Sequence, residues 1–320
     1  MLKKGLCWML LCALLLTGCG AKETVQPAED GEQPLKIVTT VFPAYDFART
    51  CGGEDVEVTL LLPPGTESHS YEPTPADILA VQECDLFLYL GGESDAWVDT
   101  ILSAAEPTGR TFKLMDCVDL LEEETVEGME SDHDHDHEEE LGQVKEYDEH
   151  VWTSPRNAAQ IVRDIAGTMG ELDPEHAETF RTRGEAYAGQ IEVLDQQFRD
   201  FFDSLPSRTI VFGDRFPLRY FAEEYDLDYY AAFPGCSTQT EPSAATIAFL
   251  TDKVRDEHIS TVWYIEFSNH LVADSIAEAT GTKTAMFHTC HNVSQEEMDS
   301  GATYLSLMEG NLETLQANMP

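Results

Sequence analysis

Histidines and carboxylates alternate in one short stretch of the chain, and this combination of residue types suits metal binding. His133, His135 and His137 are separated by single aspartates and are followed by Glu138, Glu139 and Glu140. Imidazole favours zinc, copper and nickel, whereas magnesium, calcium and manganese prefer oxygen ligands. A plain acidic run would indicate a solvated loop, but the alternating histidines predict a loop that captures metal. Because ordering such a loop costs entropy, we expect the well-ordered site elsewhere.

Four further histidines lie in loops that leave predicted strands or enter predicted helices. His69 follows the second predicted strand, His150 precedes a helix, and His288 and His291 follow the last strand. Loops at strand ends carry binding residues more often than cores do. For a single histidine a structural role would be the better interpretation. Several of them, together with an acidic histidine-rich segment, favour a metal site.

The elements that must position these histidines are predicted from the periodicity of apolar residues. Short apolar runs alternate with helical patterns over residues 35–172 and again over 206–320, which predicts an α/β protein of two similar lobes with parallel sheets. Residues 173–205 carry apolar or small side chains at a three-to-four spacing and predict one long rigid helix that joins the lobes. The last helix is predicted over residues 294–317. Open α/β sheets bind ligands beyond the carboxyl ends of their strands, so we expect the metal site in the cleft between the lobes.

The N-terminus predicts export and attachment to a membrane. In residues 1–18, Lys3 and Lys4 precede an apolar stretch that is too short to span a bilayer comfortably. A Leu-Thr-Gly-Cys sequence then ends at Cys19 and resembles a lipobox, which implies cleavage before Cys19 and a lipid on its thiol. Residues 19–34 are polar and without period, and predict a flexible tether. We therefore expect an extracytoplasmic domain that is lipid-anchored to the cell membrane.

The net charge of the chain excludes some classes of binding partner. The formal net charge is −41, and it becomes −43 once two lysines leave with the signal. Nucleic acid would be repelled and cations would be concentrated near the surface. Residues 119–149 hold fifteen carboxylates and one lysine, which predicts an acidic insertion in the first lobe rather than a core element.

Cysteines remaining after the signal and the lipid site are odd in number, so at least one thiol stays free. They are Cys51, Cys84, Cys117, Cys236 and Cys290. No Cys-x-x-Cys occurs, so the sequence does not support a thiolate zinc cluster. Cys236 and Cys290 both follow strands of the second lobe and are candidates for a disulfide near the cleft.

The chain resembles the metal-binding lipoproteins of ABC transporters that import zinc or manganese, and the zinc-specific branch in particular. Residues 64–73, Pro-Gly-Thr-Glu-Ser-His-Ser-Tyr-Glu-Pro, match the family's first ligand motif, and residues 148–157 match the second, with Glu149 where the family usually has proline. The sequences at 262–266 and 304–312 also fit. An acidic histidine-rich insertion between the first two ligands is typical of the zinc branch. The match runs in order through both lobes.

The resemblance implies a set of metal ligands. His69 and His150 match the first two. The third, a histidine or glutamate, falls within residues 212–221, where Arg215 occupies the expected position. Because arginine cannot bind metal, the neighbouring Asp214 is taken as its substitute.

The fourth ligand is usually aspartate and maps to His288, with His291 as the alternative if the loop turns differently. Glu67 and Glu149 flank the first two ligands and are expected to orient their imidazoles. Three histidines with a carboxylate or water would form a tetrahedral, nitrogen-rich site, which favours zinc over manganese.

The function implied by the resemblance is the extracytoplasmic zinc-binding component of an ABC transporter. We expect a monomer that captures Zn²⁺, delivers it to the membrane permease and is not an enzyme. One alternative is a surface adhesin or passive zinc buffer in which the acidic loop is the whole function. Another is a secreted zinc hydrolase, which needs an open coordination position and a general base. His-Glu-x-x-His and Gly-x-Ser-x-Gly motifs are both absent from the sequence.

Overall fold

A computed structural model describes residues 33–66, 71–92, 95–104, 108–129, 146–237 and 241–319. The predicted signal peptide, Cys19, nearly all of the tether and the histidine-rich run with His133, His135 and His137 lie outside these residues, as do His69 and Glu67. In the described ranges, no helix is both long and apolar enough to cross a membrane.

The first lobe is a four-stranded parallel sheet with helices between its strands. The strands are β1 (Leu35–Thr39), β2 (Val56–Leu60), β3 (Leu86–Tyr89) and β4 (Arg110–Lys113), and the helices are α1 (Phe42–Gly52), α2 (Pro75–Glu83) and α3 (Ala96–Ala104). The strand order is β2-β1-β3-β4. The chain therefore adds β2 on one side of β1 and β3 on the other, so the strand order reverses between β1 and β3. Open α/β sheets bind ligands at such a point.

Two helices link the lobes: α4 (Pro155–Leu172) and α5 (Ala177–Ser204). The 28 residues of α5 span about 42 Å at the usual rise per residue. Gly184 of α5 lies where a Cβ atom would come within 2.7 Å of the Ala166 side chain, so glycine allows α4 and α5 to approach closely. The predicted long linking helix is confirmed, and α4 stiffens it.

The second lobe repeats the first. Its strands are β5 (Thr209–Phe216), β6 (Asp228–Pro234), β7 (Thr261–Ile265) and β8 (Lys283–Phe287), in the order β6-β5-β7-β8 and all parallel. Its first helices are α6 (Arg219–Tyr225), α7 (Ala244–Asp256) and α8 (Leu271–Thr280). The matching strand orders confirm the prediction of two similar α/β lobes.

The C-terminal segment differs from the single helix predicted over 294–317. It forms α9 (Gln295–Ser300) and α10 (Tyr304–Asn318). Gly301 ends α9 with φ at +77°, and Thr303 caps α10 with its side chain. A left-handed residue followed by an N-cap stops one helix and starts the next.

The acidic insertion is more ordered at its ends than predicted. Glu122 forms an antiparallel bridge with Tyr147, and the Asp148 N–H donates to the Leu121 carbonyl over 3.0 Å. Glu124 pairs with Arg219 of α6 at 3.3 Å. These contacts fasten both ends of the insertion beside the second lobe, while residues 130–145 lie outside the described chain.

Hydrophobic packing is continuous between the two sheets. One core cluster includes Ile37 of β1, Phe47 of α1, Phe198 of α5 and Trp263 of β7. Since aromatic side chains of α5 pack against α1 of the first lobe and α6 of the second, pulling the lobes apart would expose this core. The cleft therefore sits on a stiff base.

Candidate metal centre

The candidate site is a cavity of about 30 Å³ in the cleft between the lobes. Loops that follow all four strands of the second sheet reach it, together with the loop after β2 and the segment before α4. Residues that line it include Thr66, His150, Arg215, Gly235, Glu266 and His291. This volume gives room for one ion or one water molecule. The predicted location at the carboxyl ends of the strands agrees with this placement.

His150 is held in one orientation by the residue two positions before it. Asp148 Oδ1 accepts from the backbone N–H of His150 over 2.8 Å and lies 3.2 Å from its ring Nδ1. With Nδ1 occupied by a carboxylate, Nε2 is the nitrogen left for a metal. Burial favours neutral imidazole, but Asp148 and Glu149 outweigh it and raise the pKa of His150. The Tyr220 hydroxyl donates to the Asp148 carbonyl over 2.8 Å and fixes this loop.

His291 brings a second imidazole to the cavity from the loop after β8. Its ring centroid lies 5.7 Å from that of His150, with the two planes at 71°. Trp152 lies against both rings, at 5.5 Å from His150 and 5.2 Å from His291. The Trp152 indole N–H donates to the Thr289 carbonyl over 2.9 Å, which ties the two loops together. Two imidazoles carried by different parts of the chain thus meet beside one indole.

The loop after β2 is tied to the same cavity. The Asn292 side-chain amide donates to the carbonyls of Pro63 and Thr66 over 2.8 and 2.9 Å. The Gly65 N–H donates to the Val293 carbonyl over 2.8 Å. Thr66 lines the cavity and stands three positions before His69, which is outside the described residues. The loop that carries the first predicted ligand, His69, is therefore fastened beside the cavity at residues 63–66.

His288 does not line the cavity. Its ring Nδ1 accepts from the Cys290 N–H over 2.9 Å, and its Nε2 lies 3.5 Å from Glu297 Oε1. Burial opposes protonation, but Glu266 and Glu297 raise the pKa of His288 against it, and because Nδ1 accepts from Cys290 the ring proton lies on Nε2, toward Glu297. Of the two histidines predicted for the fourth ligand, the alternative His291 lines the cavity and His288 does not, so the structure does not support His288. Cys290, with φ at +63°, turns the chain between the two histidines.

Asp214 also lies apart from the cavity. Its Oδ1 accepts from the Arg215 N–H over 2.8 Å, and its Oδ2 accepts from the Ile265 N–H over 3.4 Å. Arg215, the next residue, lines the cavity instead. The pairing of β5 with β6 shifts register between Phe212 and Arg215, and at this irregularity Asp214 bonds to β7 while Arg215 faces the cavity. The prediction of Asp214 as a substitute ligand is corrected on this ground.

A cluster of donor atoms that the sequence did not reveal lies beside His150. One donor atom each from Glu149, His150 and Cys236 lie within 4.8 Å of one another. Asp148, which was not predicted to take part, orients the His150 imidazole, and the Asp-x-His spacing is the signal that would have shown it. In the described chain no disulfide joins Cys236 to Cys290. The Cys290 Sγ is buried and lies 3.8 Å from the His288 carbonyl, so the predicted pairing is absent.

Comparison with known proteins identifies the family. The profile of the family described as zinc-uptake complex component A, periplasmic (ZnuA), matches residues 37–318. The high-affinity zinc uptake system protein ZnuA of Bacillus subtilis (strain 168) is 30% identical over 319 residues, which are 98% of this chain and 97% of that protein. The zinc-binding lipoprotein AdcA of Streptococcus pneumoniae serotype 4 is 32% identical over 307 residues. That alignment covers 96% of this chain but 59% of AdcA, so the chain spans about three fifths of it.

Solved structures agree with this assignment. The Zn(II)-bound ZnuA-like domain of Streptococcus pneumoniae AdcA superposes with a TM-score of 0.72 at 28% identity, covering 89% of this chain and 99% of that one. The metal-dependent lipoprotein YcdH of Bacillus subtilis gives 0.73 at 28% identity, covering 89% and 100%. The laminin-binding protein Lmb of Streptococcus agalactiae, at 24% identity and 0.73, shares the fold. From the profile match over both lobes and the Bacillus relative, this chain belongs to the ZnuA family of periplasmic zinc-uptake components.

Proposed function

We propose that this chain captures Zn²⁺ outside the cytoplasm and delivers it to the membrane permease of an ABC uptake system. The observation that carries the proposal is the pair His150 and His291, whose rings face one small cavity while Asp148 orients the first of them. The ZnuA family supplies the transport context. Its members are solute-binding proteins, so zinc is the cargo and the chain is not an enzyme.

The working ligand set includes His69, His150 and His291. His69 is included because it lies in the first ligand motif and because hydrogen bonds fasten the loop after β2 beside the cavity. A site rich in imidazole favours zinc over manganese. The loop with His133, His135 and His137 then serves to gather zinc from dilute solution rather than to fix its geometry.

Attachment to the membrane through a lipid on Cys19 completes the proposal. The lipobox-like sequence and the name of the relative AdcA, a lipoprotein, support it. We propose that the anchored chain acts as a monomer, since both lobes and the cavity between them come from one chain. Mass spectrometry of the protein from membranes would reveal the lipid, and sedimentation of residues 20–320 would give the mass in solution.

The test is a calorimetric titration of chelator-stripped residues 20–320 with zinc and with manganese. The same chain without residues 130–145, a His150→Ala variant and a His176→Ala control are titrated alongside. We expect one tight zinc site that outcompetes manganese, survives the deletion and the His176 control, and is lost in His150→Ala. His176 is a fair control because it pairs with Asp173 before α5. Loss of all tight binding with the loop would contradict the proposal and favour a passive zinc buffer.

A further inference from the structure

The side chains that β5 and the end of β6 place near His150 differ in what they offer a metal. Arg215 lines the cavity from β5, and a guanidinium keeps its proton and has no lone pair for a metal. Asp214 is turned toward the Ile265 N–H of β7. The donor that lies near His150 on this side instead follows the neighbouring strand, β6.

Local packing brings Cys236 from the end of β6 to this position. Phe216 of β5 pairs with Pro234 of β6, so both strands end at the same edge of the sheet. Gly235 then passes so close that a Cβ atom there would lie 2.9 Å from Pro217 Cα and 3.3 Å from His150 Cε1. Only glycine allows the turn this near to the imidazole. The Cys236 N–H donates to Glu123 Oε1 over 3.3 Å, which fixes the residue after the turn.

The resulting cluster has the composition of a zinc site. It combines a thiol, an imidazole and a carboxylate, from Cys236, His150 and Glu149, with donor atoms within 4.8 Å of one another. Glu149 and His150 are fully buried, and Cys236 is half-buried. Ligands of a tetrahedral zinc ion lie about 3.5 Å apart, from bond lengths of roughly 2.0 Å to nitrogen and 2.3 Å to sulfur. Contraction of the cluster by about 1 Å would therefore seat the ion.

We propose that Cys236 is a zinc ligand and that it binds, as a thiolate, the ion held by His150, with Glu149 as the nearest carboxylate. This inference rests on the proposed function, since it concerns the same bound zinc. When the Sγ–Zn bond forms, the S–H bond breaks and its proton passes to solvent. A thiolate favours zinc and softer metals over manganese, so Cys236 adds selectivity that imidazoles alone would not provide.

Cobalt spectroscopy tests the bond directly. Metal-stripped residues 20–320 are loaded with Co²⁺, and the sulfur-to-cobalt charge-transfer band in the near ultraviolet is recorded for the unmodified chain, for Cys236→Ser and for a Cys117→Ser control. Cys117 is also half-buried, but its Sγ lies against the Lys113 carbonyl. We expect the band in the unmodified chain and in the control, and its loss in Cys236→Ser. Zinc affinity of Cys236→Ser should fall by more than the ~10–100-fold that loss of an outer partner costs.

A second measurement needs no variant. The unmodified chain is treated with iodoacetamide with and without zinc, and the modified cysteines are located by mass spectrometry. Zinc should protect Cys236 and leave the modification of Cys117 unchanged. Tight zinc binding without a charge-transfer band and without protection would overturn the role of Cys236 and leave the proposed function standing. Absence of tight zinc binding in the unmodified chain would overturn both.

Discussion

Replacing Asp148 by asparagine would test how the structure prepares His150 for metal. Asp148 Oδ1 is 3.2 Å from His150 Nδ1, and both side chains are 2% exposed. Asp148→Asn keeps the shape and an oxygen that can accept from the His150 backbone N–H. It removes the charge that fixes the ring tautomer and makes Nε2 a stronger donor. The imidazole itself stays in place, so any loss of zinc affinity reports its orientation and basicity.

The size of the effect follows from this geometry. Loss of an outer partner of a metal-bound histidine costs ~10–100-fold in metal affinity. Since 3.2 Å is at the long end of N–H···O distances and the amide oxygen can still accept, we expect the lower end of that range. A tenfold loss corresponds to about 1.4 kcal/mol. Burial prevents water from taking over the role of the carboxylate, so the loss should not vanish.

Competition against a chromophoric zinc chelator at neutral pH would measure the zinc affinity of each variant. Asp85→Asn is the matched control, because the Asp85 carboxylate accepts from the Lys36 N–H at the opposite end of the first sheet. We expect about a tenfold loss for Asp148→Asn and none for Asp85→Asn, with similar melting temperatures for both. Unchanged zinc affinity in Asp148→Asn, or an equal loss in both variants, would refute the reasoning.

Further expected outcomes separate binding from stability. By isothermal titration, His291→Ala should lose zinc affinity by more than ~100-fold, above the range for outer partners, whereas His288→Ala should keep affinity and melt at a lower temperature; the reverse pattern would contradict the assignment. The hydrogen bond with His288 lowers the pKa of the Glu297 carboxyl to about 2 from an ordinary 4.5. The stabilisation of the fold by this carboxylate is therefore fully present above the ordinary pKa and is lost as the pH falls toward 2. Glu297→Gln should therefore flatten the acid limb of stability in melts at decreasing pH, and an unchanged limb would count against it. Phe198→Ala, at a fully buried position, should lose about 3–5 kcal/mol in urea unfolding while zinc affinity at low denaturant stays the same; a loss under 1 kcal/mol would show that α5 is not packed as described.

The alternation of strands and helices was predictable because it depends on patterns that extend over many residues. Two alternations of apolar runs and helices predicted two parallel sheets, and the spacing within 173–205 predicted the long helix; α5 ends at Ser204. The single helix predicted over 294–317 was wrong because Gly301 was not recognised as a left-handed helix end. The spacing of apolar residues continues from α9 into α10, so the pattern did not reveal the break between the two helices.

Individual ligands were less predictable, because they depend on which face a residue occupies. Asp214 and Arg215 are adjacent in β5, and one residue of register decides which side chain meets the cavity. His288 and His291 are separated by a left-handed turn at Cys290, which no local pattern indicated. Cys236 was considered only as half of a disulfide, since its closeness to His150 depends on tertiary packing. The sequence therefore identified the loops that reach the cavity, whereas the side chains that face it depend on tertiary packing.

The connections around Trp152 indicate how zinc is held and released. Its indole N–H donates to the Thr289 carbonyl, and its own carbonyl accepts from the Tyr304 hydroxyl over 2.8 Å. These bonds join the segment that carries His150 to the second lobe. Separation of the lobes would break this buried network and expose the shared core. We therefore expect zinc release to proceed by displacement of a ligand-bearing loop rather than by separation of the lobes.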